Sequence, residues 1–431
     1  MPTRDPFARL DDLQHFGIKL GLDNPSALAA RLGHPERTWP SVHVAGTNGK
    51  GSVVAMVTRG LRRQGLRTGT YTSPHLVHLE ERFRIDGRSV DRSTLRAALE
   101  TVLQAMDELV ADGTLAAPAT FFEVTTLAAF ELFRQAKVDV AVVEVGLGGR
   151  FDATNIIVPL VAAITSIGFD HEAHLGRTLE AIAGEKAGIV KPDVPIVVGA
   201  LPKAAEETVR RVCSERGAPV VESARPERVG APTEATWIWR TPDAVYGPVT
   251  LGLRGDHQAA NAGVAVAVLE TLARRGLPVS VAAIESGLAD VEWPGRLQLV
   301  SLRASRQLLL DGAHNVDGIV ALAAHLGRTY ARPLPIVFGV MKDKAAEAMI
   351  GPLSAVARTL VCTQVRMGRA MPAAELGGLA SKISQRADVV VEPDPARAIA
   401  RAFALGTPVV VAGSLYLVGH VLGLVESGDL A

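Results

Sequence analysis

A glycine-rich loop that begins at Gly46 has the residue types and spacing of an anion-binding turn. The loop reads Gly46-Thr47-Asn48-Gly49-Lys50-Gly51-Ser52, follows a short apolar segment (42–45) and precedes a segment with helical periodicity (53–64). Glycines allow successive backbone N–H groups to converge, the start of a helix adds partial positive charge, and Lys50 adds a full charge. We therefore predict that Asn48, Gly49, Lys50, Gly51 and Ser52 bind phosphate groups.

A carboxylate and an imidazole are expected beside this loop. Glu144 lies at the end of an apolar run (138–145), and His171 follows a second run (160–167). Ligands of parallel α/β sheets gather at the carboxyl ends of the strands, so both side chains should reach the same edge. An oxygen ligand at that edge suits a hard cation such as Mg²⁺, which would bridge phosphate oxygens. Taken alone, His171 would more often be a core or surface histidine.

The elements that position these residues follow an alternation of apolar runs and amphipathic segments, which is typical of parallel strands joined by helices. Residues 222–253 instead alternate at a period of two and predict antiparallel hairpins at a sheet edge. Trp293-Pro294-Gly295 is the predicted boundary. The expected fold is α/β: a P-loop nucleotide-binding domain (1–294) with a parallel sheet plus antiparallel edge hairpins, then a smaller Rossmann-like domain (295–431).

Composition excludes several classes of function. Among 431 residues, Lys plus Arg and Asp plus Glu both total 45, so no overall charge attracts nucleic acid or an anionic membrane. The two cysteines, Cys213 and Cys362, lie far apart and predict neither a disulfide scaffold nor a zinc site. The N-terminal residues contain no apolar signal-peptide core, and a cytoplasmic location is expected.

The glycine loop and a series of further motifs resemble the Mur ligase superfamily, in particular its folylpolyglutamate synthase and dihydrofolate synthase branch. Gly51 separates the lysine from the serine, which departs from the general phosphate-loop pattern GxxxxGK[ST] and is similar to this branch. The other motifs follow in order along the chain: YTSPHL (71–76), FFE (121–123), EVGLGGRFDATN (144–155), ITSIGFDH (164–171), EKAGIVK (185–191), HQAANA (257–262), PGR (294–296), DGAHN (311–315) and GSLYLVG (413–419).

The resemblance implies roles for polar residues in these motifs. Glu144 and His171 would bind magnesium together with Ser73, with Ser52 as an alternative hydroxyl. Lys186, which by itself would be read as a solvated lysine, would be carbamylated and would bind a second magnesium ion. For the nucleotide and the transferred phosphate, the resemblance implies Asn261 at adenine, Arg296 at phosphate, Asp311 at ribose, and His314 near the transferred phosphate or the incoming glutamate.

A pterin site is implied by segments that match those contacting dihydropteroate in the bifunctional bacterial enzymes. An aromatic ring there could stack on a flat heterocycle, although core packing explains the same phenylalanines equally well. Ser414 is a candidate for the glutamate site, and a strand-to-helix turn is its alternative explanation. The implied substrate residues are Ile18, Lys19, Leu20, Gly21, Thr120, Phe121, Phe122, Glu123, Phe151, Asp152 and Ala153.

The predicted reaction is ATP-dependent addition of L-glutamate to dihydropteroate or a reduced folate through an acyl phosphate, with ATP, two Mg²⁺ ions and Lys50, Lys186 and His314 as catalytic groups. Two alternatives stay open. A Mur-type cell-wall ligase is disfavoured because the phosphate loop begins at Gly46, without a preceding UDP-binding domain. A P-loop NTPase switch is disfavoured by Gly51 and by the motifs of the second domain. A monomer without nucleic-acid or membrane partners is expected.

Overall fold

The structure is a computed structural model that describes residues 5–17, 19, 21–230 and 235–430. Its larger sheet has the order β4-β3-β2-β5-β1-β6-β7-β8, and neighbours from β2 to β8 pair in parallel. β3 pairs antiparallel with both β2 and β4. The strands are β1 (Ser41–Ala45), β2 (Thr68–Tyr71), β3 (Phe83–Ile85), β4 (Arg88–Ser89), β5 (Val140–Glu144), β6 (Val161–Ile164), β7 (Ile196–Val198) and β8 (Val220–Glu222).

Helices cover both faces of this sheet, which explains why β1, β5 and β6 are buried along their whole length. The helices α3 and α9 pack on one face with α10, and α4 and α5 contribute to the core on the other. The helices of this part are α1 (Pro6–Asp12), α2 (Asp23–Arg31), α3 (Lys50–Arg63), α4 (Arg92–Ala111), α5 (Phe121–Ala136), α6 (Glu172–Leu175), α7 (Leu179–Lys186), α8 (Lys203–Glu215), α9 (Asp256–Arg274) and α10 (Val281–Ala289).

The predicted hairpins of residues 222–253 are antiparallel, but they form a sheet of their own instead of extending the larger one. Its strands are β9 (Arg225–Val229), β10 (Thr236–Arg240) and β11 (Val245–Val249). Trp239 is fully buried, and its indole N–H donates to the Ala259 carbonyl of α9 over 3.0 Å. Burial of this large ring on α9 accounts for the separate position. The antiparallel edge of the larger sheet is instead β2–β4, which the sequence did not indicate.

A second domain is built on six strands in the order β12-β13-β17-β14-β15-β16, all parallel except β12. Its strands are β12 (Gln298–Ser301), β13 (Gln307–Leu310), β14 (Leu334–Phe338), β15 (Ala357–Cys362), β16 (Asp388–Val391) and β17 (Val409–Ala412); its helices are α11 (Val316–Thr329), α12 (Ala346–Ser354), α13 (Ala373–Ile383), α14 (Pro395–Phe403) and α15 (Leu415–Glu426). None of the helices in the described residues is both long and apolar enough to cross a bilayer.

Candidate active site

The glycine loop connects β1 to α3. Gly49 precedes the helix with φ of 86°, a conformation that favours glycine, and α3 then begins at Lys50. The Lys50 ammonium donates to the carbonyls of Gly46 and Thr47 over 3.0 and 3.3 Å. The loop is also held by the segment that follows β6, because the Asn48 backbone N–H donates to Ser166 Oγ over 3.0 Å. Helix start and lysine are thus arranged around one concave turn.

Ser52 provides a buried hydroxyl without a partner. Only 1% of Ser52 is exposed, and its Oγ makes no hydrogen bond in the part of the chain that the structure describes. Buried polar atoms almost always have partners, so an unpaired hydroxyl inside a cavity indicates a site for an additional ligand. Next to it, a Cβ on Gly51 would lie 2.8 Å from Trp293 Nε1. Gly51 is therefore required by close contact with the indole.

Glu144 and His171 both border the cavity next to this loop. Glu144 Oε2 accepts a hydrogen bond from the Ser73 backbone N–H over 3.2 Å. Burial raises the pKa of Glu144, and the Lys50 ammonium opposes that shift. Partial burial lowers the pKa of His171 to about 4, against the attraction of Asp170. At neutral pH the imidazole is uncharged, which is the form that binds metal ions.

Lys186, near the end of α7, is buried beside the loop. Its ammonium donates to the Gly46 carbonyl over 3.1 Å, the same oxygen that accepts from Lys50. Burial is the main cause that lowers the pKa of Lys186 to about 7, and the positive charge of Lys50 is the second. The lowered pKa makes the neutral, nucleophilic amine more accessible at neutral pH than it is in an ordinary lysine.

Asp170 joins the two domains at the rim of the site. Its carboxylate forms an ion pair with Lys344, lies 3.5 Å from His314 Nε2 and accepts from Asn315 Nδ2 over 3.1 Å. Burial would raise the pKa of Asp170, but the hydrogen bond from His314 and the charge of Lys344 lower it below its ordinary value. His314 Nδ1 in turn donates to the Gly312 carbonyl over 2.8 Å. This network fixes His314 between the domains.

A cavity of about 420 Å³ brings all of the predicted phosphate, metal and nucleotide residues together. Among the described residues, no three His, Cys, Asp or Glu side chains form a ready-made metal cluster. Hydroxyl and carboxylate oxygens on one wall nevertheless suit Mg²⁺, which normally retains waters and takes further oxygens from phosphate. Predicted residues that line this cavity are Asn48, Gly49, Lys50, Gly51, Ser52, Ser73, Glu144, His171, Lys186, Asn261, Arg296, Asp311 and His314.

The three predicted nucleotide residues have structural partners as well. Asn261 Nδ2 donates to Gln258 over 3.0 Å, and its amide lies against Gly49, where a Cβ would be 2.3 Å from Oδ1. Arg296 donates to the Gly295 carbonyl over 3.0 Å. Asp311 accepts from the backbone N–H groups of Leu297 and Ala313, each over 2.9 Å, and the bond from Ala313 forms an Asx-type turn.

A second cavity of about 360 Å³ adjoins the first one. Ser73, His171 and His314 lie on the walls of both cavities, so the two spaces meet at these residues. Ile18 and Leu20 lie outside the described residues. The other predicted substrate residues line the second cavity: Lys19, Gly21, Thr120, Phe121, Phe122, Glu123, Phe151, Asp152, Ala153 and Ser414.

Some of these side chains are used by the fold itself. Thr120 and Glu123 form a reciprocal capping box at the start of α5, with bonds of 3.2 and 2.6 Å. Ser414 caps α15 by accepting from the Tyr416 N–H over 3.1 Å. These residues shape the cavity wall, but their polar atoms are already used in the hydrogen bonds that cap the two helices. By contrast, 43% of Phe151 is exposed, and its ring is free to contact a ligand.

Asp152 offers a firmly held carboxylate at the second cavity. It accepts from the Leu147 N–H over 2.8 Å and from the Thr154 N–H over 3.0 Å, and the Thr154 hydroxyl also donates to it. Burial raises the pKa of Asp152, and the Thr154 hydroxyl opposes this shift most strongly. Its orientation is therefore fixed before any ligand arrives.

Sequence reasoning missed polar residues on the cavity walls, including two that lie within quoted motifs and three that do not. Asp170 immediately precedes His171 in a quoted motif, and His257 begins another, so their positions were visible but their chemistry was not used. The remaining three had no local signal, because the fold brings them to the site from separate segments. These five residues are Arg82, Asp170, His257, Lys344 and Arg369.

Comparison with known proteins agrees with this geometry. Residues 44–269 match the Mur ligase middle domain, and residues 295–415 match the glutamate ligase domain of Mur ligases. A dihydrofolate synthase/folylpolyglutamate synthase of Bacillus subtilis is 36% identical over 414 residues, which cover 94% of this chain and 95% of that protein.

Solved structures agree over nearly the whole chain. Folylpolyglutamate synthase of Mycobacterium tuberculosis, complexed with ADP, has a TM-score of 0.89 and 32% identity, covering 97% of this chain and 99% of that one. E. coli FolC in complex with DHPP and ADP has a TM-score of 0.87 and 30% identity, covering 99% of each chain. The chain belongs to the folylpolyglutamate synthase/dihydrofolate synthase family of Mur ligases.

Proposed function

We propose that this protein is an ATP-dependent ligase that joins L-glutamate to a carboxylate of dihydropteroate or a reduced folate. The observation that carries the proposal is the meeting of two cavities at Ser73, His171 and His314. One cavity contains the phosphate loop, and the other has an aromatic and carboxylate wall suited to a pterin. A carboxylate held in the second cavity could therefore approach a γ-phosphate held in the first.

The phosphate loop would bind and polarise ATP. Loop amides and the Lys50 ammonium would offset charge on the transferred phosphoryl group. Ser52, Ser73, Glu144 and His171 have the donor atoms to hold Mg²⁺, which when bound supplies Lewis-acid stabilisation of phosphate oxygens. Asn261, Arg296 and Asp311 would contact adenine, phosphate and ribose. The acceptor carboxylate would attack the γ-phosphate to give an acyl phosphate and ADP.

The amine of glutamate would then displace phosphate from the acyl carbon and form the amide. Deprotonation of that amine has to occur where the two cavities meet. His314 lies on both walls and is held by Gly312 and Asp170, so it is placed to orient the amine. The Ser414 hydroxyl already accepts a hydrogen bond from the Tyr416 N–H. Ser414 would therefore contribute by shaping the turn at the start of α15.

Lys186 would enter the reaction as its carbamate. With a pKa lowered to about 7, its amine is available for attack on CO₂, and the product replaces a cation by an anion next to the phosphate loop. That anion could hold a second magnesium ion, whereas an ammonium would repel one. Lys186 is buried and has no carboxylate hydrogen-bond partner among the described residues, which supports this modification.

The acceptor heterocycle would lie in the second cavity. Phe151 and the partly buried Phe121 and Phe122 present aromatic surface to it, and Asp152 presents fixed oxygens to ring N–H and amino groups. The domain division is proposed at 294/295. Monomeric state, cytoplasmic location and the absence of nucleic-acid and membrane partners stay predictions.

A substrate panel tests this proposal. Phosphate release should require ATP, labelled glutamate and either dihydropteroate or tetrahydrofolate, and label should appear in the folate product. Phosphate release that does not depend on glutamate and acceptor would refute the assignment and favour an NTPase switch. Turnover with UDP-muramoyl acceptors instead would favour the cell-wall alternative.

Glu144→Gln provides the matched test of the site. It keeps the side-chain size and removes the buried charge, so turnover should fall about 100-fold or more while the fold persists. Glu270→Gln is the control, because Glu270 is also buried but accepts from Tyr246 away from both cavities. Near-normal turnover of Glu144→Gln would remove this carboxylate from the reaction.

A further inference from the structure

A third cavity, of about 300 Å³, is lined by side chains of α3, β2 and β3 and by the segment that leads into the second domain. Three guanidinium groups, those of Arg59, Arg62 and Arg84, lie on its wall. We call this space the arginine cavity. None of the proposed catalytic, metal or substrate residues lines it, so its chemistry is not explained by the proposed ligase reaction.

The positive charge of the arginine cavity is incompletely compensated. The wall carries two carboxylates, and one of them, Asp290, is ion-paired with Arg63 and lies 3.9 Å from Arg59. Glu292 is the other and is exposed. The Arg62 guanidinium makes no hydrogen bond or ion pair with the part of the chain that the structure describes. Burial and then Arg59 lower the pKa of Arg62, and the carboxylate of Asp86, outside the cavity wall, opposes that shift. Cationic charge is thus concentrated here without equal opposing charge.

The arginine cavity also contains buried hydrogen-bond donors that have no acceptor among the described residues. Arg59 Nε is buried and has no partner among the described residues. Thr58 and Thr70 are buried with their hydroxyl oxygens 3.1 Å apart. One hydrogen bond uses one hydrogen, so the other hydroxyl hydrogen has no acceptor among the residues that the structure describes. Buried donors without acceptors are rare in proteins. An acceptor-rich ligand would satisfy them.

Arg84 is held in a fixed orientation. Its guanidinium lies 5.1 Å from the centre of the Trp293 ring, and its Nε donates to the Glu81 carbonyl over 3.2 Å. An arginine stacked on an aromatic face keeps its terminal N–H groups available for a planar or tetrahedral oxyanion. Because Arg84 and Trp293 also line a narrow space of about 40 Å³ next to Glu144, the arginine cavity adjoins the reaction site through them.

We infer that the arginine cavity is a second oxyanion-binding site, separate from the phosphate loop, for a ligand with several carboxylate or phosphate groups. Guanidinium groups bind both types of oxyanion with charge-assisted hydrogen bonds, so the shared chemistry is a polyanion. Trp293 contacts the cavity on one side and Gly51 of the phosphate loop on the other. Its indole is therefore a natural reporter of occupancy.

Titrations of the whole protein test this inference. The phosphate loop is first filled with ADP and Mg²⁺, and then tripolyphosphate or free γ-linked tetraglutamate is added while heat and tryptophan fluorescence are recorded. We expect saturable binding of at least one probe at one site per chain. Trp293→Phe should abolish the fluorescence change while the heat of binding remains.

Arg62→Ala should weaken binding about tenfold or more, since it removes a charged donor that has no structural partner. Arg88→Ala is the matched control, because it removes the same charge from an exposed neighbouring position outside the cavity and should change affinity less than twofold. If Arg62→Ala lowers the thermal midpoint, Arg59→Gln replaces it as the test variant. Glutamine removes the positive charge but keeps a longer side chain than alanine does. Circular dichroism checks the fold of each variant.

The two probes separate the source of the ligand. Binding of tripolyphosphate alone identifies a phosphate ligand, and binding of tetraglutamate alone identifies a polycarboxylate; either result supports the site. Absence of saturable binding by both probes would overturn the inference, and so would equal losses in Arg62→Ala and Arg88→Ala. Ligase turnover measured without added polyanion tests the proposed function separately.

Discussion

Asn48 of the phosphate loop and Asn315 of the second domain exchange two side-chain hydrogen bonds. Asn48 Nδ2 donates to Asn315 Oδ1 over 3.1 Å, and Asn315 Nδ2 donates to Asn48 Oδ1 over 3.0 Å. Asn315 also caps α11 by accepting from the Gly318 N–H over 3.0 Å. The pair therefore ties the phosphate loop directly to the first turn of α11.

The variant Asn315→Ser should remove the hydrogen bonds to Asn48 while it keeps the N-cap of α11. Serine is a good N-cap residue but is too short to reach Asn48. We expect glutamate-dependent turnover to fall about tenfold, because the phosphate loop loses its alignment with the second domain, while the thermal midpoint changes little. Steady-state kinetics and a thermal melt measure both effects. Unchanged turnover would show that the amide pair does not align the site.

The Asp170–Lys344 ion pair makes a second connection between the domains. Both side chains are largely buried, with 7% and 9% exposed. Lys344→Met should destabilise the protein by about 3–5 kcal/mol, because it leaves a buried carboxylate without its cation. Asp170→Asn combined with Lys344→Met should recover much of that loss, since neither charge then remains.

Urea unfolding of the wild type, both single variants and the double variant measures the coupling between these two residues. Strictly additive effects would contradict a direct ion pair. Asp170 also contacts His314 and Asn315, so the single Asp170→Asn variant should lower turnover as well as stability.

Carbamylation of Lys186 should be visible by carbon NMR. After incubation with ¹³C-bicarbonate, we expect one carbamate resonance that grows as pH rises through about 7, because attack on CO₂ requires the neutral amine. Lys186→Arg should lack this resonance and should be inactive. Lys186→Ala should regain part of its activity with short carboxylic acids.

Lys191 is the matched control. Its pKa is lowered by burial to about 8, and its ammonium donates to the Asn155 carbonyl over 2.8 Å outside the first cavity. Lys191→Arg should keep the carbamate resonance. A resonance that survives Lys186→Arg would assign the modification elsewhere, and no resonance in the wild type would refute it.

Regular elements were predictable where the sequence pattern is local. The apolar run that ends at Glu144 and the run before His171 became the parallel strands β5 and β6, and the glycine loop lies between β1 and α3 as its spacing indicated. The helix after the loop begins three residues earlier than predicted, at Lys50, because Gly49 takes the left-handed conformation before it. Local propensity and periodicity were sufficient for these features.

Contacts between distant segments were not predictable in the same way. Lys344 follows β14 of the second domain and Asp170 follows β6 of the first, so only the packing of the two domains brings them together. The contact of Trp239 with α9 places the hairpins of residues 225–249 against that helix. The period-two alternation predicts strands but not the element against which they pack. Packing of large side chains and charges across domains decides such positions.

His43 of β1 gives a prediction for the pH dependence of stability. It is fully buried, and its Nε2 lies 2.9 Å from Thr154 Oγ1, the hydroxyl that donates to Asp152. Burial lowers the pKa of His43 from 6.5 to about 3. Between these values the unfolded chain binds a proton that the folded chain excludes, so stability falls as pH decreases, by up to about 1.4 kcal/mol per pH unit.

His43→Gln removes this titration and keeps a donor for Thr154. We therefore expect the free energy of unfolding to fall less steeply between pH 6.5 and 4 in His43→Gln than in the wild type. The difference between the two slopes should correspond to the uptake of about one proton on unfolding. His174→Gln, which replaces an exposed histidine, should retain the wild-type slope. Urea unfolding at several pH values measures all three proteins. Parallel curves for the wild type and His43→Gln would mean that His43 is protonated within the folded core, at the Nδ1 atom that has no partner among the described residues.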